Sequence, residues 1–127
     1  MRWLLPLIWA GIICYLSLMP GNELPDFDLF HLLFIDKWVH VFFYFVLAFL
    51  LFFSWKTNHS LIFKSIFILI LCFLFGTGIE IIQETYTDTR HFEWMDLLFD
   101  IIGAASYIFI WLKKQANYFV EKEKTPE

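Results

Sequence analysis

Residues 38–55 read WVHVFFYFVLAFLLFFSW, eighteen positions without an Asp, Glu, Lys or Arg. A helix needs roughly 20 mostly apolar residues to cross a 30 Å hydrocarbon core, so this run is read as a membrane span. Trp38 and Trp55 close its two ends, where indole rings favour the interface between lipid and water. Its one histidine, His40, lies within a turn of the first end, and an ionisable group at that depth points to a partner or a wet site.

Three similar runs flank it, at residues 3–19, 65–82 and 94–112, with Trp3, Trp94 and Trp111 near their ends and Trp9 well inside. The whole chain is 60% hydrophobic with 17 phenylalanines among 127 residues, beyond the roughly 45–50% apolar content of soluble domains. A soluble core of this size cannot cover so much apolar surface. The expected fold is therefore all-α: an integral membrane bundle of four transmembrane helices over residues 1–112, followed by a charged tail over 113–127. The first run resembles a signal peptide, but it is longer than an ordinary apolar signal region and no small-residue cleavage site follows. It is expected to stay as the first span.

Seven of the nine basic residues, Arg2, Lys56, Lys64, Lys113, Lys114, Lys122 and Lys124, fall on one side of such a bundle; Lys37 and Arg90 fall on the other. The positive-inside rule makes the seven-charge side cytoplasmic, with both termini inside. Ten of the 13 acidic residues gather near the outer face. The chain is expected in the cytoplasmic membrane. Its formal charge of −4 and lack of a basic, aromatic strip exclude nucleic acid as a natural partner. Cys14 and Cys72 sit inside apolar runs without a CxxC or Cys/His grouping, so neither a structural zinc nor a disulfide framework is indicated.

The first outer loop, residues 20–36, contains FDLFHLLFI, too short to cross and expected at the interface. Spans two and three, joined by the short segment 56–64, are expected as an antiparallel hairpin. Polar groups then fall into stripes. Asp36 and His40 are four apart, with Lys37 between them; Glu80, Gln83 and Glu84 follow the i, i+3, i+4 spacing; Asp96, Asp100 and Gly103 follow i, i+4, i+7. All three stripes meet the outer interface, and the loop between the last two adds Asp88, Arg90, His91 and Glu93.

Each residue has a plainer reading. Asp36 and Asp96 suit helix N-termini, His40 and Gln83 suit interhelical hydrogen bonds, and Gly76, Gly78 and Gly103 suit close helix approach. Glu80 and Asp100 are harder to dismiss, because a carboxylate at that depth must be protonated, paired or wet. The candidate binding set is thus Asp36, Lys37, His40, Glu80, Gln83, Arg90, Asp96 and Asp100.

DKWVH at 36–40, GIEIIQ at 78–83 and RHFEWMDLLFDIIG at 90–103 together resemble the VanZ-like family of small membrane proteins. The family often has Asn where this chain has Asp100, and a small polar residue where it has Glu93. The resemblance implies an envelope protein linked to resistance to teicoplanin, a lipoglycopeptide, without implying a reaction.

Three functions compete. In the first, an outer polar pocket binds a membrane lipid headgroup, a lipid-linked envelope precursor or the antibiotic itself, with Arg90 and Lys37 on phosphate and Asp36, Glu80 and Asp96 on amide or sugar donors. This needs no cofactor. In the second, a divalent metal held among His40, Glu80, Asp96 and Asp100 serves a hydrolase or transferase acting on a lipid-linked substrate, although HExxH, GxSxG and P-loop motifs are absent from the sequence. The third is proton- or cation-coupled transport through Glu80 and Asp100, for which four spans would need an oligomer.

Overall fold

The structure, a computed structural model, describes residues 2–19, 29–57, 59–86 and 92–124. All regular structure among them is helical: α1 (Leu4–Ser17), α2 (Leu29–Ser54), α3 (Leu61–Tyr86) and α4 (Trp94–Lys124). Contacts at both ends fix an alternating up-and-down course. Arg2 at the start of α1 accepts a hydrogen bond from Ser54 at the end of α2, and Ser17 at the end of α1 accepts one from Gln83 near the end of α3. Lys37 of α2 meets Asp96 of α4, so those two helices run parallel.

Segments Ile35–Ser54, Leu61–Tyr86 and Trp94–Lys122 are long and apolar enough to cross a membrane. Their most apolar windows are 28%, 33% and 39% buried, so most of each helix turns apolar side chains outward, as a lipid solvent allows and water does not. The protein is thus a membrane protein with three helices of spanning length. The fourth expected span is shorter than its apolar run: α1 has 14 residues, a rise of about 21 Å.

Two boundaries differ from expectation. Leu29 to Phe34 belong to α2, so part of the FDLFHLLFI patch is the helix's own first turns and Asp36 lies inside α2 rather than at its N-terminus. The tail does not begin at a break either, because α4 runs unbroken to Lys124. Residues 113–124 are rich in Lys, Gln, Ala and Glu and hold no Gly or Pro, so helix propensity carries the helix onward.

α2 packs most extensively on α4. Ala48 and Ala104 are fully buried, and Phe45, Phe49 and Phe52 set their rings edge-on to Tyr107. At Gly103 a β-carbon would collide with the backbone of Val41, so only glycine admits this approach. Gly76 similarly leaves room for Asp100 Oδ2, Tyr44 Oη and Leu97, with 2.6 Å from a hypothetical β-carbon to that oxygen. Gly78 faces open space, so the close-approach reading fails there. The interior Trp9 is explained by its indole N–H, which donates to the Phe43 carbonyl at 3.0 Å. Both cysteines are free thiols.

Candidate functional site

The polar stripes converge at the end of the bundle where α2 and α4 begin and α3 ends. Stacked four apart on α2, Asp36, His40 and Tyr44 face α4, whose Asp96 and Asp100 repeat the same spacing in parallel. His40 Nδ1 lies 2.8 Å from Asp100 Oδ1. With its proton on Nδ1, the imidazole donates to that carboxylate and turns Nε2 outward along the stripe, 3.7 Å from Asp96 Oδ2. The Tyr44 hydroxyl also hydrogen-bonds Asp100. Asp100 is 2% exposed, and these bonds compensate its burial.

Lys37 extends from the adjacent face of α2 into the same cluster. Its ammonium pairs with Asp96 Oδ1, lies 2.9 Å from Glu93 Oε2 and reaches Asp36 Oδ2 at 3.6 Å. Asp96 is therefore divided: one oxygen holds Lys37 and the other faces His40. Placement in the first turn of α4 also favours its negative charge, as the sequence suggested.

Glu80, 1% exposed, accepts the backbone N–H of Glu93 at 2.9 Å. This ties the end of α3 to the approach to α4. Gln83, also buried, donates to the Ser17 carbonyl at 2.6 Å and ties α3 to α1. Both residues brace the helix ends beneath the cluster. Arg90 lies outside the described residues, as do Asp88 and His91.

Of the metal candidates drawn from sequence, His40 and Asp96 come together with Asp36: one donor atom from each lies within 4.8 Å of the others. Asp100 instead holds the opposite nitrogen of His40, and Glu80 is bonded to the backbone of Glu93. Two members of the network were not in the candidate set. Glu93 stands in the connection between α3 and α4. Tyr44 was hidden in a phenylalanine run, although its position four residues after His40 places it on the same helix face.

The described carboxylates Asp36, Glu80, Glu93, Asp96 and Asp100 outnumber the one lysine and one histidine among them. Such a site attracts cations and hydrogen-bond donors. Two surface clefts lie at the opposite end, one lined by Phe109, Lys113, Tyr118 and Glu121 and the other by Arg2, Ser54 and Lys56; neither adjoins the cluster. No curated protein and no solved structure matches the chain. The family model described as VanZ/LLP1 matches residues 3–115. With that match over most of its length, the chain belongs to the VanZ/LLP1 family.

Proposed function

We propose that this protein is a four-span envelope protein of the bacterial cytoplasmic membrane, with both termini inside and its polar end facing outward. There it binds the polar part of a membrane-anchored ligand: a lipid headgroup, a lipid-linked envelope precursor or a lipoglycopeptide such as teicoplanin. The observation that carries this reading is the joining of His40, Asp100, Asp96 and Lys37 across two parallel helices. Ionisable groups are costly to place at the edge of an apolar bundle, and where they occur they commonly mark a site. Its excess of carboxylates suits amine and hydroxyl donors; Lys37 is already engaged by Asp36, Glu93 and Asp96, which leaves phosphate recognition to Arg90.

The test is teicoplanin susceptibility of a sensitive Gram-positive host expressing the chain beside equally abundant His40→Ala, Glu80→Gln and Arg90→Ala forms. Protection by the parent chain that the variants lose is the expected result. A correctly inserted parent chain that gives no protection removes teicoplanin resistance from the reading.

One observation favours a second reading, a hydrolase or transferase acting on a lipid-linked substrate. Asp100 behind His40 Nδ1 is the arrangement of an orienting carboxylate behind a general base. Turnover of a lipid-linked phosphoester or amide that ends in the His40→Ala form distinguishes this reading from binding alone.

A further inference from the structure

We infer that Asp36, His40 and Asp96 form a binding site for a divalent transition-metal cation, with Asp100 as the residue that positions the histidine and Lys37 as a built-in competitor. The inference depends on the polar end being a site, as proposed above, and on neither choice of ligand.

The argument starts at His40. In the tautomer with its proton on Nδ1, bonded to Asp100, the imidazole keeps a lone pair on Nε2, which lies 3.7 Å from Asp96 Oδ2. Two electron-rich atoms then face each other at a separation too long for an ordinary hydrogen bond. Donor atoms each about 2.1 Å from a zinc-sized ion and set at the tetrahedral angle stand about 3.4 Å apart. The observed gap is close to that span. Asp36 supplies the third donor, from a half-exposed side chain whose ion pair with Lys37 is long, at 3.6 Å.

The surroundings also match those of a metal-bound histidine. Ligating imidazoles commonly donate their other N–H to a carboxylate, which fixes the tautomer and raises ligand basicity; Asp100 Oδ1, 2.8 Å from Nδ1, is placed to accept that N–H from His40. One nitrogen and two carboxylates favour a zinc- or manganese-class ion over calcium, which prefers oxygen donors throughout. The ammonium of Lys37, on the other oxygen of Asp96, is the cation already present. It neutralises the carboxylates when no metal is bound, and it opposes the ion when one arrives.

That opposition gives the site a signature that loose binding to surface carboxylates lacks. The full chain, purified in detergent and stripped with chelator, is titrated with Mn²⁺, and loss of the free-ion electron paramagnetic resonance signal is followed. One Mn²⁺ per chain, displaced by Zn²⁺ and not by equimolar Ca²⁺, is expected. His40→Gln should weaken binding by more than tenfold and Asp100→Asn by about tenfold, the range for residues that orient metal ligands. Lys37→Met should tighten it by about tenfold, a gain that misfolding cannot mimic. Glu121→Gln, at the far end of α4, should match the parent chain.

No saturable binding, a His40→Gln form that binds like the parent, or a Lys37→Met form that binds no tighter overturns the cation site. The same variants in the susceptibility assay separate this inference from the broader reading. Protection that depends on His40 in a protein that binds no ion sinks the cation site and leaves ligand binding standing. An ion bound as described with protection unaffected by His40→Gln supports the cation site and counts against the ligand reading.

Discussion

His40 Nδ1 and Asp100 Oδ1, sixty residues apart in sequence, lie 2.8 Å apart in the only polar layer that joins α2 to α4 among the described residues. Each is the other's compensation for burial. Removing one member of a hydrogen-bonded pair costs about 1–3 kcal/mol when the survivor is buried, and more when it is charged; Asp100 keeps its bond from Tyr44. We expect His40→Ala and Asp100→Ala each to destabilise the protein by about that much, and the double variant to cost less than the sum. Reversible unfolding in mixed micelles measures all three; additive losses would show the pair to be energetically uncoupled.

Gly103 and Gly78 should behave oppositely when changed to alanine. At Gly103 the new methyl group meets the Val41 backbone, and a displaced α4 should lose about 1–3 kcal/mol. At Gly78 it meets open space, and the helix should gain up to about 1 kcal/mol. Paired thermal unfolding of the two variants checks the contrast, and equal effects would contradict the packing of α2 on α4.

The direction of the bundle is tested by thiol labelling of intact cells in a Cys14→Ala, Cys72→Ala background. Cysteine at Glu84, exposed near the end of α3, should react with an impermeant maleimide; cysteine at Lys114, exposed on α4 past the apolar run 94–112, should react only after lysis. The reverse pattern would invert the topology and place the polar cluster on the cytoplasmic side. The same background tests α1: cysteine at Arg2 should follow Lys114 if the 14-residue helix crosses.

The Trp9 indole supplies a smaller test. Trp9→Phe keeps the ring contacts with Phe42 and Phe43 and deletes the donor to the Phe43 carbonyl. A loss of about 1 kcal/mol is expected, the net worth of one hydrogen bond. No loss would mean that the tryptophan is retained for its bulk.

Helix number and order were legible in the sequence because apolar length and interfacial tryptophan are strong signals. So was the polar end, because His40, Glu80 and Asp100 interrupt apolar runs at similar depth. Partner choice was not legible. Helix spacing places Asp36 and His40 on one face, yet nothing in the spacing says that Asp100 takes Nδ1 while Asp96 faces Nε2. That depends on the parallel register of two helices whose facing residues stand more than fifty positions apart in sequence. Glu80 shows the same limit: a deep carboxylate announces that it needs a partner, and here the partner is a backbone N–H in a loop. The helical course of residues 113–124 was not read from the sequence, because their charge drew notice before the helix propensity of Lys, Gln, Ala and Glu.

The contact between Gly103 and Val41 has a consequence for how variants of this protein are interpreted. The missing β-carbon at Gly103 sets how closely α4 seats on α2 at that level, and any side chain there must displace α4. A substitution at Gly103 would therefore present as a defect of the polar cluster although its side chain never enters it, and a mutational map read by phenotype alone would count a spacer among the binding residues.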